Sequence, residues 1–152
     1  MVLNRRTLSA QDAASLADAV NRAGNSWLTY TPHLDFFRSF VRRGRPTPAT
    51  DVPDDVITMN SRFVLENVNT GESGCYALVY PEQEATRHGR ISVLSPAGMA
   101  LLGARVDEEV CWTSAAGPEV AKVQRLLHQP EAAMRRIAPA VRRSHAALVG
   151  RN

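Results

Sequence analysis

Among the residues that could carry chemistry, Ser95 has the most distinctive setting. It lies in ISVLSPAGMALLG (residues 91–103), where four residues of strand pattern run into Ser95-Pro96 and a short run of small and apolar residues ends at Gly103. A nucleophilic serine at such a turn would have flanking glycines, and Ser95 has none. A helix cap explains the pattern, because a serine hydroxyl accepts from the free N–H groups of the first turn and Pro96 needs no donor there. We interpret Ser95 as an N-cap, at a helix start that could also dock a partner.

The other polar residues show no pattern typical of a catalytic, metal or cofactor site. The acidic groups Asp54-Asp55 and 107–109 lie at turns before strands, where neighbouring acids usually form solvated corners; magnesium binding or acid–base chemistry is the less favoured alternative. There is no glycine-rich phosphate loop with its lysine, and the histidines are scattered without metal-ligand spacing. We therefore expect a binding protein rather than an enzyme, with no cofactor and no metal. The histidines are His33, His88, His128 and His145.

The aromatic and cysteine residues of the C-terminal two thirds are predicted to lie in the core. Tyr76, Tyr80 and Trp112 occur in strand patterns and are interpreted as core rather than as a ligand platform. The two cysteines, Cys75 and Cys111, lie in apolar strand patterns as well. No apolar run approaches the roughly 18 residues of a membrane span, and the first residues lack the apolar region of a secretory signal. We expect a soluble cytoplasmic protein with reduced, buried cysteines.

The net charge of +3 conceals an uneven distribution. Residues 1–50 hold seven arginines against three acids and residues 131–152 five arginines against one, whereas residues 51–130 hold six basic and eleven acidic residues. Basic ends on an acidic centre indicate a surface for nucleic acid or an acidic protein, and solvated arginines on amphipathic helices explain the pattern equally well. The arginines of the basic tail are Arg135, Arg136, Arg142 and Arg143.

Two helices are predicted in the N-terminal third. The first spans residues 9–24, with Ser9 and Asp12 as a capping box, and the second spans residues 31–44. Their short connection, GNSWLTYT, predicts an antiparallel hairpin about 20 Å long, because an α-helix rises 1.5 Å per residue. Two aromatic residues at the tip of this hairpin would either close it or touch a partner. They are Trp27 and Tyr30.

The remainder of the chain predicts an α+β fold. Residues 43–55, with three prolines, indicate a linker or an extended segment. From Val56 onward, short strand patterns are separated by turns at TGESG (70–74) and AGP (116–118), with one short helix from Ser95. One short helix crossing a small, mostly antiparallel sheet is an α+β arrangement. The predicted core residues of this domain are Met59, Leu78, Val93, Leu101 and Val110.

Four segments in this region resemble a known family: DVPDDVITMNSRF, ALVYPE, GRISVLSPAGMALLGARVDEEVCW and HQPEA. From about Asp51 to Ala132 they are similar, in order, to the Rnk (regulator of nucleoside diphosphate kinase) branch of the Gre transcript-cleavage factors of bacterial RNA polymerase. The resemblance implies an N-terminal antiparallel coiled coil over residues 1–50 and a C-terminal FKBP-like domain over residues 51–132. Residues 133–152 are predicted to form a basic helical tail, which extends past the usual end of Rnk-type chains.

The resemblance also implies a partner. In Gre proteins the C-terminal domain holds a coiled coil of the β′ subunit at the rim of the RNA polymerase secondary channel. The hairpin enters that channel, where acidic residues at its tip hold the second catalytic magnesium for RNA cleavage. The docking element is the strand-to-helix corner that contains Ser-Pro. In this chain the corner comprises Val93, Leu94, Ser95 and Pro96.

Two departures from the Gre pattern change the implied activity. Gre proteins usually carry Asp or Asn before Ser-Pro, whereas this chain has Leu94, which removes a polar contact. The tip GNSWLTYT holds no carboxylate, and Mg²⁺ binding at such a site depends on carboxylate oxygens. We therefore expect a non-catalytic transcription regulator that binds RNA polymerase near the secondary channel and modulates elongation or competes with Gre-type factors.

Two other functions remain as alternatives. The FKBP-like fold suggests a prolyl isomerase, but a fold does not confer activity, and such a site needs an aromatic-lined pocket, for which Tyr76, Tyr80 and Trp112 are the local candidates. The basic ends suggest a DNA-binding accessory protein, whose affinity would fall steeply with salt.

Overall fold

The computed structural model describes residues 7–24, 38–39, 41–42 and 45–137. Residues 130–137 are helical, and short 3₁₀ turns lie at Ala49–Asp51, Pro81–Gln83 and Thr86–His88. No helix in these ranges is long and apolar enough to cross a bilayer. The other elements of the described ranges are β1 (Thr7–Ser9), α1 (Ala10–Gly24), β2 (Arg45–Thr47), β3 (Arg62–Asn67), β4 (Ser73–Val79), β5 (Arg90–Ser92), α2 (Pro96–Leu101), β6 (Glu109–Ser114) and β7 (Gly117–His128).

The last five strands form one sheet in the order β5-β4-β3-β7-β6. Neighbours are antiparallel except β4 and β5, which run parallel because the chain crosses from the end of one to the start of the other through two 3₁₀ turns. The 12-residue β7 pairs with β3 on one side and β6 on the other, with register shifts near the start of β3. With α2 against β6, this confirms the α+β class.

The interior is one hydrophobic cluster, and the predicted core residues belong to it. Met59, Leu78, Val93, Leu101 and Val110 are each at most 3% exposed. Further members from the segment before β3, the strands and the loop after α2 are Ile57, Phe63, Leu65, Leu102, Ala104, Ala121 and Val123.

The N-terminal helix packs into this same cluster. Ser9 caps α1, since its Oγ accepts from the backbone N–H of Asp12 at 3.0 Å, and the helix ends at Gly24 as predicted. Leu16 and Val20 are at most 1% exposed and belong to the cluster that contains the sheet core. The boundary at residue 50 therefore does not separate two hydrophobic cores among the described residues.

The second predicted helix and the hairpin tip lie mostly outside the described residues. Within the predicted range 31–44, residues 38–39 and 41–42 are helical, and Val41 is buried in the common cluster. Trp27 and Tyr30 are not among the described residues. The antiparallel hairpin therefore stays a prediction.

The predicted linker has defined structure where it is described. β2 pairs in parallel with β1 in the register Thr7↔Arg45, and the 3₁₀ turn Ala49–Asp51 follows it. Val52 is 2% exposed, because the chain turns inward there to enter the core. The prolines fit this path, since an extended two-stranded edge tolerates residues without an N–H donor.

The prediction that both cysteines are buried is wrong. Cys75 and Cys111 are free and exposed. Successive residues of a strand point to opposite faces, and the inward positions beside them belong to Tyr76 and Val110. An apolar strand pattern did not reveal which of the two alternating sets faces the core.

Candidate functional site

The corner between β5 and α2 is held by hydrogen bonds from two serines. Ser95 Oγ accepts from the backbone N–H of Gly98 at 3.1 Å and donates to the carbonyl of Ser92 at 2.7 Å. Ser92 Oγ accepts from the N–H of Leu94 at 3.1 Å. Pro96 occupies the first helical position, as the cap interpretation requires. Because the Ser95 hydroxyl is engaged as donor and acceptor within the corner, its role in the fold is that of a cap.

Gly98 allows α2 to lie directly against the end of β5. A Cβ built at this position would stand 1.9 Å from the carbonyl oxygen of Ser92, well inside van der Waals contact. No side chain fits there without moving the helix away from the strand. The spacing Ser92-x-x-Ser95-x-x-Gly98 is a sequence signal for this corner, and the sequence interpretation used only its middle residue.

The four residues of the predicted docking corner differ in what they present to a partner. Val93 is fully buried, so its side chain supports the corner from inside and is unavailable for contact. Leu94 and Ser95 are half-buried, and Pro96 is exposed. The surface that a partner can reach at this corner therefore consists of Leu94, Ser95 and Pro96.

Beside the corner lies a groove of about 680 Å³ between the sheet and the start of α2. Tyr76 from β4 and Trp112 from β6 form its aromatic walls, and both are half-buried. They also pack against the hydrophobic cluster, so their interpretation as core holds in part. Tyr80 is not among the lining residues. The others are Leu65, Asn67, Glu72, Ser73, Glu84, Thr86, Arg90, Ile91, Ser95, Ala97, Glu119, Val120 and Ala121.

A second polar cluster lies where α1, the turn at 58–61 and the helical segment 130–137 meet. Asp12 and Glu131 are each 8% exposed. The N–H of Met59 donates to Asp12 Oδ2 at 3.1 Å, and Thr58 Oγ1 donates to Glu131 Oε2 at 2.7 Å. Burial raises the pKa of Asp12 from 3.8 to about 6, and the charge of Glu131 acts in the same direction. These carboxyls join both ends of the described chain to the domain.

Gln129 and Glu131, from the motif HQPEA, stabilise the fold through hydrogen bonds. Gln129 Nε2 donates to the carbonyls of Pro53 and Val56, at 2.8 and 2.7 Å. Together, the Gln129 bonds and the Glu131 bond to Thr58 attach the segment after β7 to the segment that leads into β3. Part of the family resemblance is therefore carried by residues that hold the fold.

Two acidic residues before β3 and one described tail arginine take part in surface ion pairs. Asp55 Oδ2 lies 3.4 Å from Arg105 Nε, and Asp54 pairs with Arg135, whose guanidinium also donates to the carbonyl of Ala49 at 2.6 Å. These pairs fit the solvated-corner interpretation. Arg136 is exposed, whereas Arg142 and Arg143 lie outside the described residues.

Comparisons with known proteins bear directly on this region. The family model described as transcription elongation factor, GreA/GreB, C-term, matches residues 52–125, which include both the corner and the groove. The regulator of nucleoside diphosphate kinase of Escherichia coli (strain K12) is 36% identical over 103 residues, covering 67% of this chain and 76% of that protein. The chain belongs to the GreA/GreB family. The resemblance inferred from the sequence is thereby confirmed.

Two further members of the GreA/GreB family are similar to this chain, one in sequence and one in structure. The transcription elongation factor GreA of Syntrophotalea carbinolica is 36% identical over 70 residues, 46% of this chain and 44% of that protein. A solved structure of a prokaryotic transcription elongation factor GreA/GreB from Nitrosomonas europaea superposes with a TM-score of 0.67 at 26% identity, covering 82% of this chain and 98% of that one. Membership in the GreA/GreB family supports a regulator related to transcription elongation.

Proposed function

We propose that this protein is a non-catalytic regulator that binds RNA polymerase near its secondary channel, with Leu94, Ser95 and Pro96 against the coiled coil of the β′ subunit. The observation that carries the proposal is the corner, which lies within the GreA/GreB match. Its hydroxyl groups are engaged internally, whereas Leu94 and Pro96 present a firm, largely apolar surface. A preorganised surface is suited to docking because little conformational entropy is lost on binding.

In this proposal the N-terminal part modulates or competes and does not cleave RNA. The segment GNSWLTYT offers no carboxylate for a catalytic magnesium, so Trp27 and Tyr30 would close a short coiled-coil hairpin or touch the channel wall. The C-terminal domain would correspond to the FKBP-like domain of Gre factors, in a cytoplasmic protein. DNA binding through the basic ends would depend on Arg136 and on the arginines beyond the described residues.

Replacing Pro96 tests the docking role with little effect on the fold. Pro96→Ala keeps a residue that suits the first helical turn, and it removes exposed apolar surface at the corner. We expect at least a fivefold weaker affinity for RNA polymerase core enzyme in a fluorescence-anisotropy titration, and a melting temperature close to that of the wild type. Pro48→Ala, at another exposed proline that precedes a 3₁₀ turn, serves as the matched control and should bind normally. Equal affinities of Pro96→Ala, the control and the wild type would remove the docking role from Pro96.

Leu94→Asp restores the acidic character that Gre proteins usually have before Ser-Pro. Leu94 is half-buried and packs against the hydrophobic cluster, so this change will also destabilise the domain. Its affinity must therefore be measured at a temperature where circular dichroism shows the variant to be folded. There we expect an altered affinity, because the side chain lies at the contact.

A further inference from the structure

The groove adjoins the exposed corner at Ser95, and its chemical character differs from that of the corner. Its floor is the sheet face around Leu65, and one wall begins at Ser95, the cap of α2, and at Ala97 within the helix. The Tyr76 ring lies over Gly74 of its own strand: a Cβ built at Gly74 would stand 3.0 Å from the Tyr76 ring atom Cε2 and from its hydroxyl oxygen. The absence of a side chain at Gly74 leaves room for the phenol in this position.

The charges around the groove favour a cationic occupant. Glu72, Glu84 and Glu119 line it, against the single cation Arg90. Within the described part of the chain, none of these four side chains takes part in an ion pair. The groove also lies in the acidic central part of the sequence, residues 51–130, so the surrounding field adds to the attraction for a positive group.

The aromatic walls of the groove indicate which kind of cation it would bind. Trp112 and Tyr76 are half-buried, which leaves part of each ring available to an occupant. A guanidinium is planar, stacks on aromatic faces and pairs with carboxylates through several donors, whereas an ammonium is a strongly hydrated point charge. On strand β6, Trp112 pairs in register with Glu119 of β7, so an aromatic ring and a carboxylate are neighbours on the sheet. This combination is suited to arginine.

We propose that the groove binds an extended, arginine-bearing segment of a partner protein, with the guanidinium between Trp112 and Glu119. The groove collects side chains from all five strands of the sheet and from the start of α2, which fits a peptide chain laid across the sheet better than a small compact ligand. The proposal goes beyond docking at the corner and does not require that the partner be RNA polymerase.

Fluorescence of Trp112 provides a direct test on the full chain. The protein has two tryptophans, so a Trp27→Phe background leaves Trp112 as the only tryptophan, which is excited selectively at wavelengths that tyrosine does not absorb. The probe is an acetylated, amidated hexapeptide with two central arginines flanked by glycine and serine. Its comparator carries citrulline, which is isosteric with arginine and uncharged. We expect a saturable change in Trp112 emission with the arginine peptide and at least fivefold weaker binding of the citrulline peptide.

Charge-neutral variants locate the interaction. Glu119→Gln should weaken binding of the arginine peptide at least fivefold, whereas Glu109→Gln, an exposed acid of β6 outside the groove, should change it less than twofold. Equal binding of both peptides, equal loss in both variants, or no saturable signal up to millimolar peptide would overturn the proposal. Because no polymerase is present, a failure here is independent of the corner.

The protein's own basic tail is the competing occupant. Full-length protein carrying Arg142→Gln and Arg143→Gln should bind the arginine peptide with the same affinity as the chain with its tail arginines intact. If the peptide binds only when these arginines are removed, the groove is occupied by the tail, and the partner proposal is wrong.

Discussion

At the residue scale, a few polar side chains decide the geometry of the corner, and only some of them could be identified from the sequence. The cap at Ser95 was predictable because Ser-Pro before a small apolar run is a local signal. The hydrogen bonds of Ser92 and the close approach of its carbonyl to Gly98 could not be predicted, because they depend on how closely α2 approaches β5. Val93 was predicted both as a core residue and as part of the docking corner, and its full burial confirms the core prediction.

We expect Gly98→Ala to destabilise the protein, although replacing a helical glycine by alanine is ordinarily stabilising. In a helix, replacing glycine by alanine usually stabilises by about 1 kcal/mol. Here the added methyl would meet the Ser92 carbonyl oxygen at 1.9 Å, so we expect destabilisation by about 1–3 kcal/mol, typical of overpacking. Urea denaturation measures the change, with Ala97→Ser on the same helical turn as the control for an added atom at a half-exposed site. A stabilised Gly98→Ala protein would show that α2 does not lie against β5.

Asp12 predicts how stability depends on pH. Its pKa is about 6 in the folded protein, against an ordinary value of 3.8, so between these pH values the folded state binds more protons than the unfolded chain. The free energy of unfolding should therefore decrease as pH rises from about 4 to 6 through the Asp12 contribution, by on the order of 3 kcal/mol, and level off above. Denaturation at several pH values in this range measures the change. The Asp12→Asn variant should lack this decrease in the free energy of unfolding, whereas the Asp18→Asn variant, altered on the exposed face of α1, should retain it. Identical pH profiles for wild type and Asp12→Asn would contradict the burial of the Asp12 carboxylate.

At the element scale, α1 was predictable in extent, whereas its place in the molecule was not. Its cap and its end follow from Ser9 and Gly24, as local signals. Its docking onto the sheet depends on contacts across about 50 residues of sequence, such as Met59 to Asp12, which local periodicity cannot specify. Likewise, the strand patterns predicted β3 to β7, but the order β5-β4-β3-β7-β6 required the folded chain.

Leu16→Ala distinguishes a packed helix from an independent one. Leu16 is fully buried in the cluster that also contains Leu101, so we expect Leu16→Ala and Leu101→Ala each to cost about 2–5 kcal/mol. Both substitutions should lower the midpoint of a single cooperative unfolding transition. Circular dichroism follows the helices in this transition, and Trp112 fluorescence, in a Trp27→Phe background, follows the sheet. Loss of helical signal before the Trp112 signal in Leu16→Ala would mean that α1 folds apart from the sheet.

At the scale of the whole molecule, the family was predictable because the matching motifs include both surface and core residues. Ser95 and Pro96 shape the corner, and Gln129 and Glu131 fasten the segment after β7 to the domain. The sequence offered Tyr76 and Trp112 as candidates for an aromatic-lined pocket, but their assembly into one groove with acids such as Glu84 could not be predicted, since these residues come from separate parts of the chain and meet only after the sheet has formed.

The most direct test of the central claim is competition for RNA polymerase. Fluorescently labelled protein is bound to polymerase core enzyme, and a GreA-type factor is added in increasing amounts while anisotropy is recorded. If both proteins dock at the rim of the secondary channel, the label should be displaced completely, and unlabelled protein should reproduce the curve. Simultaneous binding of both proteins, with the anisotropy unchanged at saturating GreA, would contradict the proposed site, and no binding to polymerase at all would contradict the proposed function.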